Sequence, residues 1–256
     1  MNLWGVARLG DVDPALCRGA KLSERAGGAT SVVVLGAGSS MLFEHYLHTT
    51  GQGAIANGQV NGQVNGQANG HAAACRVGFS DWVRARVADE VEALRAADFS
   101  VTAVFPGDPR QTCFAQMAEA AGLVIASPVV DLLLHPRYGP WVEILAALVV
   151  DAQLPVSGEL DFDPCSSCSA PCLAACPVET YVEPGRVELG RCATHRHAGG
   201  CASGCEVRRA CPVGREARFA DGHEVADQQR RRSWLRRRFG LGVWRLVPAA
   251  LRRRGS

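Results

Sequence analysis

The sequence predicts an α+β chain: an N-terminal α/β domain over residues 1–155, a small cysteine-rich domain over 156–222 and a basic, arginine-rich tail over 223–256. Three observations lead there. In the first half, short apolar runs closed by glycine or proline alternate with stretches of helical period. Eight of the eleven cysteines fall between Cys165 and Cys211. The last 29 residues hold ten of the 27 basic residues and none of the 25 acidic ones, so an acidic body bears a basic tail. Hydrophobic residues at 47% against 20% charged supply a sizeable core and exclude a wholly disordered chain.

Ser31 to Gly36 (SVVVLG) reads as a buried strand and Ser39 to His48 as a helix. Gly36-Ala37-Gly38 between them lacks the third glycine of a dinucleotide loop, because Met41 stands there. It reads as a tight strand-to-helix turn. Residues 51–74 contain a four-residue Asn-Gly-Gln repeat without core-forming period and read as a low-complexity insertion. Ser80 is the expected N-cap of a helix whose Val83, Val87, Val91 and Leu94 share one face. Ser100 to Phe105 follows as a strand and Gln111 to Ala121 as a short helix; Leu123 to Leu134 suits a strand plus loop. Trp141 to Val150 fits a helix or a buried strand equally, and the boundary falls in the polar stretch 152–164. No run of 18 apolar residues exists, and the opening residues lack the apolar segment of a secretory signal, so the expected compartment is the cytoplasm.

Thiols in a reducing compartment more often bind metal than form disulfides. The first run is Cys165-x2-Cys168-x3-Cys172-x3-Cys176-Pro177, one residue longer than the C-x2-C-x2-C-x3-C-P of bacterial two-cluster ferredoxins. Three thiolates can come from one tight loop, whereas the cysteine before proline serves the other cluster. A looser second run supplies that partner: Cys192-x8-Cys201-x3-Cys205-x5-Cys211-Pro212. Crossed ligation assigns Cys165, Cys168, Cys172 and Cys211 to one [4Fe-4S] cluster and Cys176, Cys192, Cys201 and Cys205 to the other. Two four-thiolate zinc sites use the same count, but structural zinc favours paired knuckles separated by a longer gap. His195 and His197 lie between ligands of the second set and read as loop histidines. Cys17, Cys75 and Cys113 fall outside the pattern and read as buried or incidental thiols.

The residues ahead of the cysteines carry a further resemblance. Ala121-Gly122-Leu123, then Leu132 to Trp141 (LLLHPRYGPW), then CSSCSAPCLAACP are similar to the core of epoxyqueuosine reductases, and Leu3 to Ala7 (LWGVA) is similar to their opening strand. The resemblance implies an N-terminal α/β part and a C-terminal bacterial-ferredoxin-like part with two [4Fe-4S] clusters. In that family the clusters pass electrons to a cobalamin, which reduces the epoxide of a tRNA nucleoside. Two departures bear on the activity. The GWIGKN segment that lines the family's corrinoid site is replaced here by residues 124–131, VIASPVVD. The family's catalytic acid, counted back from Leu123, falls on Asp108, whose surroundings (PGDPRQT) also read as turn chemistry.

These features favour an iron–sulfur protein that carries electrons through two [4Fe-4S] clusters, with cobalamin not favoured. The alternatives are a corrinoid-dependent reductase of the epoxyqueuosine reductase type, with Asp108 catalytic, and a non-redox protein whose clusters brace the fold. Redox partner proteins are implied. The tail, in which Trp234, Phe239 and Trp244 interleave with arginines, suits a nucleic acid such as tRNA or a membrane surface, and also a plain solubilising tail.

Overall fold

The computed structural model describes residues 1–13, 21–52, 78–107 and 113–240. Most of the repetitive insertion, Cys17, Cys75, Asp108 and the tail beyond Gly240 lie outside the described residues. The chain forms two compact units. The first comprises Met1–Ile125 and Val142–Asp161, and the second Ala126–Trp141 and Phe162–Ser256. Residues 126–141, which precede the expected boundary, thus belong with the cysteine-rich part.

Unit 1 is built on a four-stranded sheet. In chain order its elements are β1 (Leu3–Arg8), α1 (Leu9–Val12), α2 (Leu22–Arg25), β2 (Ser31–Gly38), α3 (Met41–Thr49), α4 (Phe79–Ala96), β3 (Val101–Val104) and α5 (Phe114–Ala120). Two short strands, β4 (Ile125–Ala126) and β5 (Leu133–Leu134), precede β6 (Val142–Val150), which returns to the sheet. The strand order is β1-β2-β6-β3, and every pairing is antiparallel. The α+β class stands, and the sheet is antiparallel because β6 inserts between β2 and β3 and opposes both.

That central position explains why VEILAALVV is a strand rather than a helix. Val150 pairs with Ser31 on one side and with Val101 on the other, and residues 145–150 are all buried. The register slips where Leu35 faces Ala146 and Gly36 faces Ile144, a bulge. Gly36 to Gly38 end β2 and do not make the turn, which falls on Ser39 at φ 63°. Gly5 on β1 lies against the carbonyl of Ala121, so a Cβ there has no room.

Helix α4 starts at Phe79 with Gly78 as N-cap, two residues ahead of the expected cap, Ser80. Its Val83, Val87 and Val91 are buried as their spacing predicts. Phe79 and Trp82 pack edge-on against Phe43 and Tyr46 of α3 at centroid distances of 5.3–5.7 Å. Cys113 is buried and disulfide-bonded rather than an incidental thiol.

Unit 2 contains α6 (Pro171–Ala174), the hairpin β7 (Tyr181–Glu183) and β8 (Arg186–Val187), α7 (Leu189–His197), α8 (Glu206–Ala210) and α9 (Asp221–Arg238). The HPRYGP turn docks on the segment after Cys211. Gly139, at φ 53°, abuts the Val213 carbonyl, and Gly214, at φ 63°, abuts Tyr138. Nearby, Trp141 and Phe219 pack at 5.5 Å with Ala217. Helix α9 takes up the first half of the stretch expected as a tail, yet it buries His223, Glu224, Asp227, Gln228 and Leu235. Among the described residues no helix is long and apolar enough to cross a membrane.

Candidate metal centre

The predicted ligands of unit 2 sort into two groups. Cys165, Cys168, Cys172 and Cys211 line one narrow, otherwise apolar cavity, with Val130, Leu134 and Val213 among its walls. A turn closed by the Cys168 N–H donating to the Cys165 carbonyl at 3.2 Å sets the first two. Ala170 takes the left-handed conformation (φ 52°) and Pro171 opens α6, which points Cys172 inward. The extra residue in the Cys168-x3-Cys172 spacer is thus absorbed by one strained residue, at roughly 1–2 kcal/mol. Cys211 arrives from the far end of the unit, immediately after α8. The Ser127 hydroxyl lies 3.6 Å from Cys165 Sγ and accepts the N–H groups of Val129 and Val130 at 3.2 and 3.3 Å.

Cys176, Cys192, Cys201 and Cys205 line a second cavity of about 120 Å³, together with Tyr181, His195 and Arg196. Cys192 sits on α7, and Cys205 is the N-cap of α8. Cys201 holds a left-handed backbone at φ 53°. The Thr180 N–H donates to Cys176 Sγ at 3.4 Å, and the Arg196 Nε–H donates to Cys192 Sγ at 3.2 Å. His195 and His197 are on helix α7 rather than in a loop. His195 reaches this cavity, whereas the buried Nδ1 of His197 finds no hydrogen-bond partner among the described residues.

The thiols shape each other's charge. Burial, then the neighbouring Cys211, raises Cys172 above the ordinary thiol value, and burial likewise raises Cys211 and Cys201, with other cysteines of the same set adding to it. Burial pushes Cys176 up as well, but hydrogen bonding from Thr180 and the charge of Arg196 bring it below the ordinary value. Four thiolates around one cavity repel each other, and a bound cationic group relieves that repulsion. Among the described residues no three His, Cys, Asp or Glu side chains close on one point as ligands of a single ion do. The described thiols of both sets are free of disulfides. A larger cleft of about 900 Å³ opens on unit 1 beside Arg8, Asp13 and Thr30, and none of the predicted ligands lines it.

Sequence reasoning named all eight cysteines but missed Ser127, Thr180 and Arg196. Arg196 was within reach, since it follows Cys192 by four residues and so shares its helix face.

The fold is similar to that of solved epoxyqueuosine reductases and reductive dehalogenases. Bacillus subtilis epoxyqueuosine reductase, with its catalytic loop swung out of the active site, superposes with a TM-score of 0.55 at 16% identity, over 88% of this chain and 64% of that one. An epoxyqueuosine reductase with an epoxyqueuosine-modified tRNA-Tyr stem loop gives 0.56 at 15% identity, over 88% and 64%. A reductive dehalogenase whose structure suggests a mechanism for B12-dependent dehalogenation gives 0.52 at 14% identity, over 94% of this chain and 34% of that one. The chain therefore spans just under two thirds of the length of the epoxyqueuosine reductases it matches. No protein-family profile matches the sequence, and no curated protein does.

Proposed function

We propose that the chain is an iron–sulfur oxidoreductase of the corrinoid-dependent reductase type, with one [4Fe-4S] cluster in each cysteine-lined cavity. One observation supports it above the rest: eight cysteines interleaved in sequence separate in space into the two crossed sets that cluster ligation requires. The donor chemistry fits, because a cubane takes its thiolates at separate corners and so needs them along the walls of a cavity. When bound, such clusters would supply one-electron transfer between a donor and a reducible acceptor.

The residues divide that work. Cys165, Cys168, Cys172 and Cys211 would hold one cluster in a mostly apolar cavity, with the Ser127 hydroxyl beside Cys165 Sγ. Cys176, Cys192, Cys201 and Cys205 would hold the other, with hydrogen bonds from Thr180 and Arg196 to sulfur. The sequence alone put plain electron carriage first. The likeness to epoxyqueuosine reductases and a B12-dependent dehalogenase moves the weight to a reductase. An RNA partner is supported by the tRNA stem loop in one of those structures and by the outer end of α9, where Arg232, Arg236, Arg237 and Arg238 are exposed beside Trp234.

A second reading, electron carriage without a corrinoid, is favoured by residues 124–131. Val130 belongs to a core cluster with Cys172 and Val207, and the Ser127 hydroxyl is engaged by Val129 and Val130. In that second reading the stretch serves to pack and order the first cysteine set, and no step is assigned to a corrinoid. The test is anaerobic: iron and acid-labile sulfide content first, then titration with cob(II)alamin followed by calorimetry and visible spectra. About eight irons and eight sulfides per chain, followed by micromolar or tighter cobalamin binding, are expected. Stoichiometric zinc without sulfide would overturn the cluster assignment. Clusters without cobalamin binding would leave electron carriage as the function.

A further inference from the structure

The two cavities differ in one respect that the cysteine pattern does not require. Among the described residues no charged side chain other than the thiols lines the first cavity, and the one cation that bears on its sulfurs, Arg215, acts on Cys211 from outside that lining and less than burial does. The second is lined by the guanidinium of Arg196, a residue only 6% exposed. Arg196 lies one turn after Cys192 on α7 and donates Nε–H to its sulfur at 3.2 Å. Its Nη1 is gripped by Gln228 Oε1 of α9, a buried amide that fixes the guanidinium against the cavity. Gln228 in turn lies 3.5 Å from Asp227, whose carboxylate is already engaged by Arg208 and Arg231. The charge on Arg196 is thus held by a neutral partner and left uncompensated toward the sulfurs.

Other charges at this cavity count for less. Asp131 and Glu206 are exposed and screened by solvent, and Arg231 spends its charge on Asp227. A buried cation in hydrogen-bond contact with a ligand sulfur favours whichever cluster state carries more negative charge.

We propose that Arg196 is a potential-setting residue: it makes the cluster of Cys176, Cys192, Cys201 and Cys205 the more easily reduced of the two, so that an electron entering the pair comes to rest there. This rests on the cluster reading above. The reaction at each site is the gain of one electron from an external reductant, with no bond to sulfur made or broken, and Arg196 keeps its proton throughout.

The experiment uses the full chain loaded with iron and sulfide, reduced stepwise with dithionite and followed by electron paramagnetic resonance. Wild-type protein should show two midpoints. Arg196→Met and Arg196→Gln remove the charge, and either should make the higher-potential site at least tenfold harder to reduce, a fall of 59 mV for one electron, while the lower midpoint stays put. Arg196→Lys, which keeps a cation, should restore most of the loss. The assignment is overturned if a neutral variant that holds both clusters retains both wild-type midpoints. It is equally overturned if both neutral variants lose the second cluster, since Arg196 would then be a strut for ligation. Wild-type protein that binds neither iron nor sulfide would instead remove the cluster reading itself, and the two failures are told apart by metal analysis.

Discussion

Arg208 and Asp227 form an ion pair at 3.0 Å with side chains only 4% and 8% exposed. The guanidinium also lies 5.7 Å from the Trp141 ring and 5.5 Å from that of Phe219, so α9 is fastened to the core of unit 2 by charge rather than by an apolar stripe. Removing one member of a buried pair leaves the other charge without compensation. Asp227→Ala should therefore destabilise the protein by about 3–5 kcal/mol. Urea denaturation followed by tryptophan fluorescence measures this, and a loss below about 1 kcal/mol would show that water or relaxation replaces the carboxylate.

The same carboxylate sets an acid limit. Burial alone would raise Asp227, but Arg231, Arg208 and Arg230 outweigh it and hold it down to about 2, against an ordinary 3.8. A depressed acid contributes stability that is present above its unfolded value and fades as pH falls toward the folded one. Thermal melts should show wild-type protein losing stability between pH 4 and 2 more steeply than Asp227→Asn. Parallel curves would mean that the arginines do not act on this group.

His135 gives a second, milder pH response. Its Nδ1 accepts the backbone N–H groups of Arg137 and Tyr138 at 3.0 and 3.3 Å, which only the unprotonated ring can do. Burial, then the charge of Arg137, lowers it from its ordinary 6.5. The unfolded chain then binds the proton more readily, so this contribution is complete above about pH 6.5 and declines below it. Melting temperature should fall from pH 7 to pH 5 in wild-type protein and fall less in His135→Asn, whose side-chain oxygen can still accept.

The turn that His135 closes meets the segment after Cys211 at a glycine. Gly139→Ala places a methyl group against the Val213 carbonyl at a left-handed φ of 53°. Overpacking of this kind costs about 1–3 kcal/mol, and the positive φ adds to it. A melting temperature unchanged by the substitution would show that the two loops can part freely.

What could be read from the sequence depended on how local the signal was. The cysteine spacings are local and chemically demanding, so both sets could be written down before any fold was known. The valines of α4 repeat at helical period and fell on the expected face. The strand β6 could not be told from a helix, because a nonamer buried between two neighbours has no alternation to read. Helix α9 was missed as a docked element for the opposite reason. Its buried side chains are the polar His223, Glu224, Asp227 and Gln228 with one leucine, Leu235, and a polar stretch ending in arginines looks solvated until Arg208, Arg209 and Arg218 are found to meet it. Gly204 belongs to that network too, since a Cβ would strike the Glu224 carboxylate and the Arg209 guanidinium. Long-range ion pairing leaves no period in a sequence.

Crossed ligation gives the sharpest prediction about the site. Cys211 lies 39 residues beyond Cys172, and only six beyond Cys205, yet it shares a cavity with Cys165, Cys168 and Cys172. Cys176 is four residues from Cys172 and lines the other cavity with Cys192, Cys201 and Cys205. Proximity along the chain and proximity in space therefore predict opposite outcomes for one substitution. Cys211→Ala should disrupt the cluster assigned to Cys165, Cys168 and Cys172, with a loss of up to half of the iron and sulfide, and leave intact the electron paramagnetic resonance signal that responds to Arg196. Cys176→Ala should do the reverse. If Cys211→Ala instead abolishes the Arg196-sensitive signal and spares the other, each cluster takes its ligands from its own run, and the cavities are not the ligand sets.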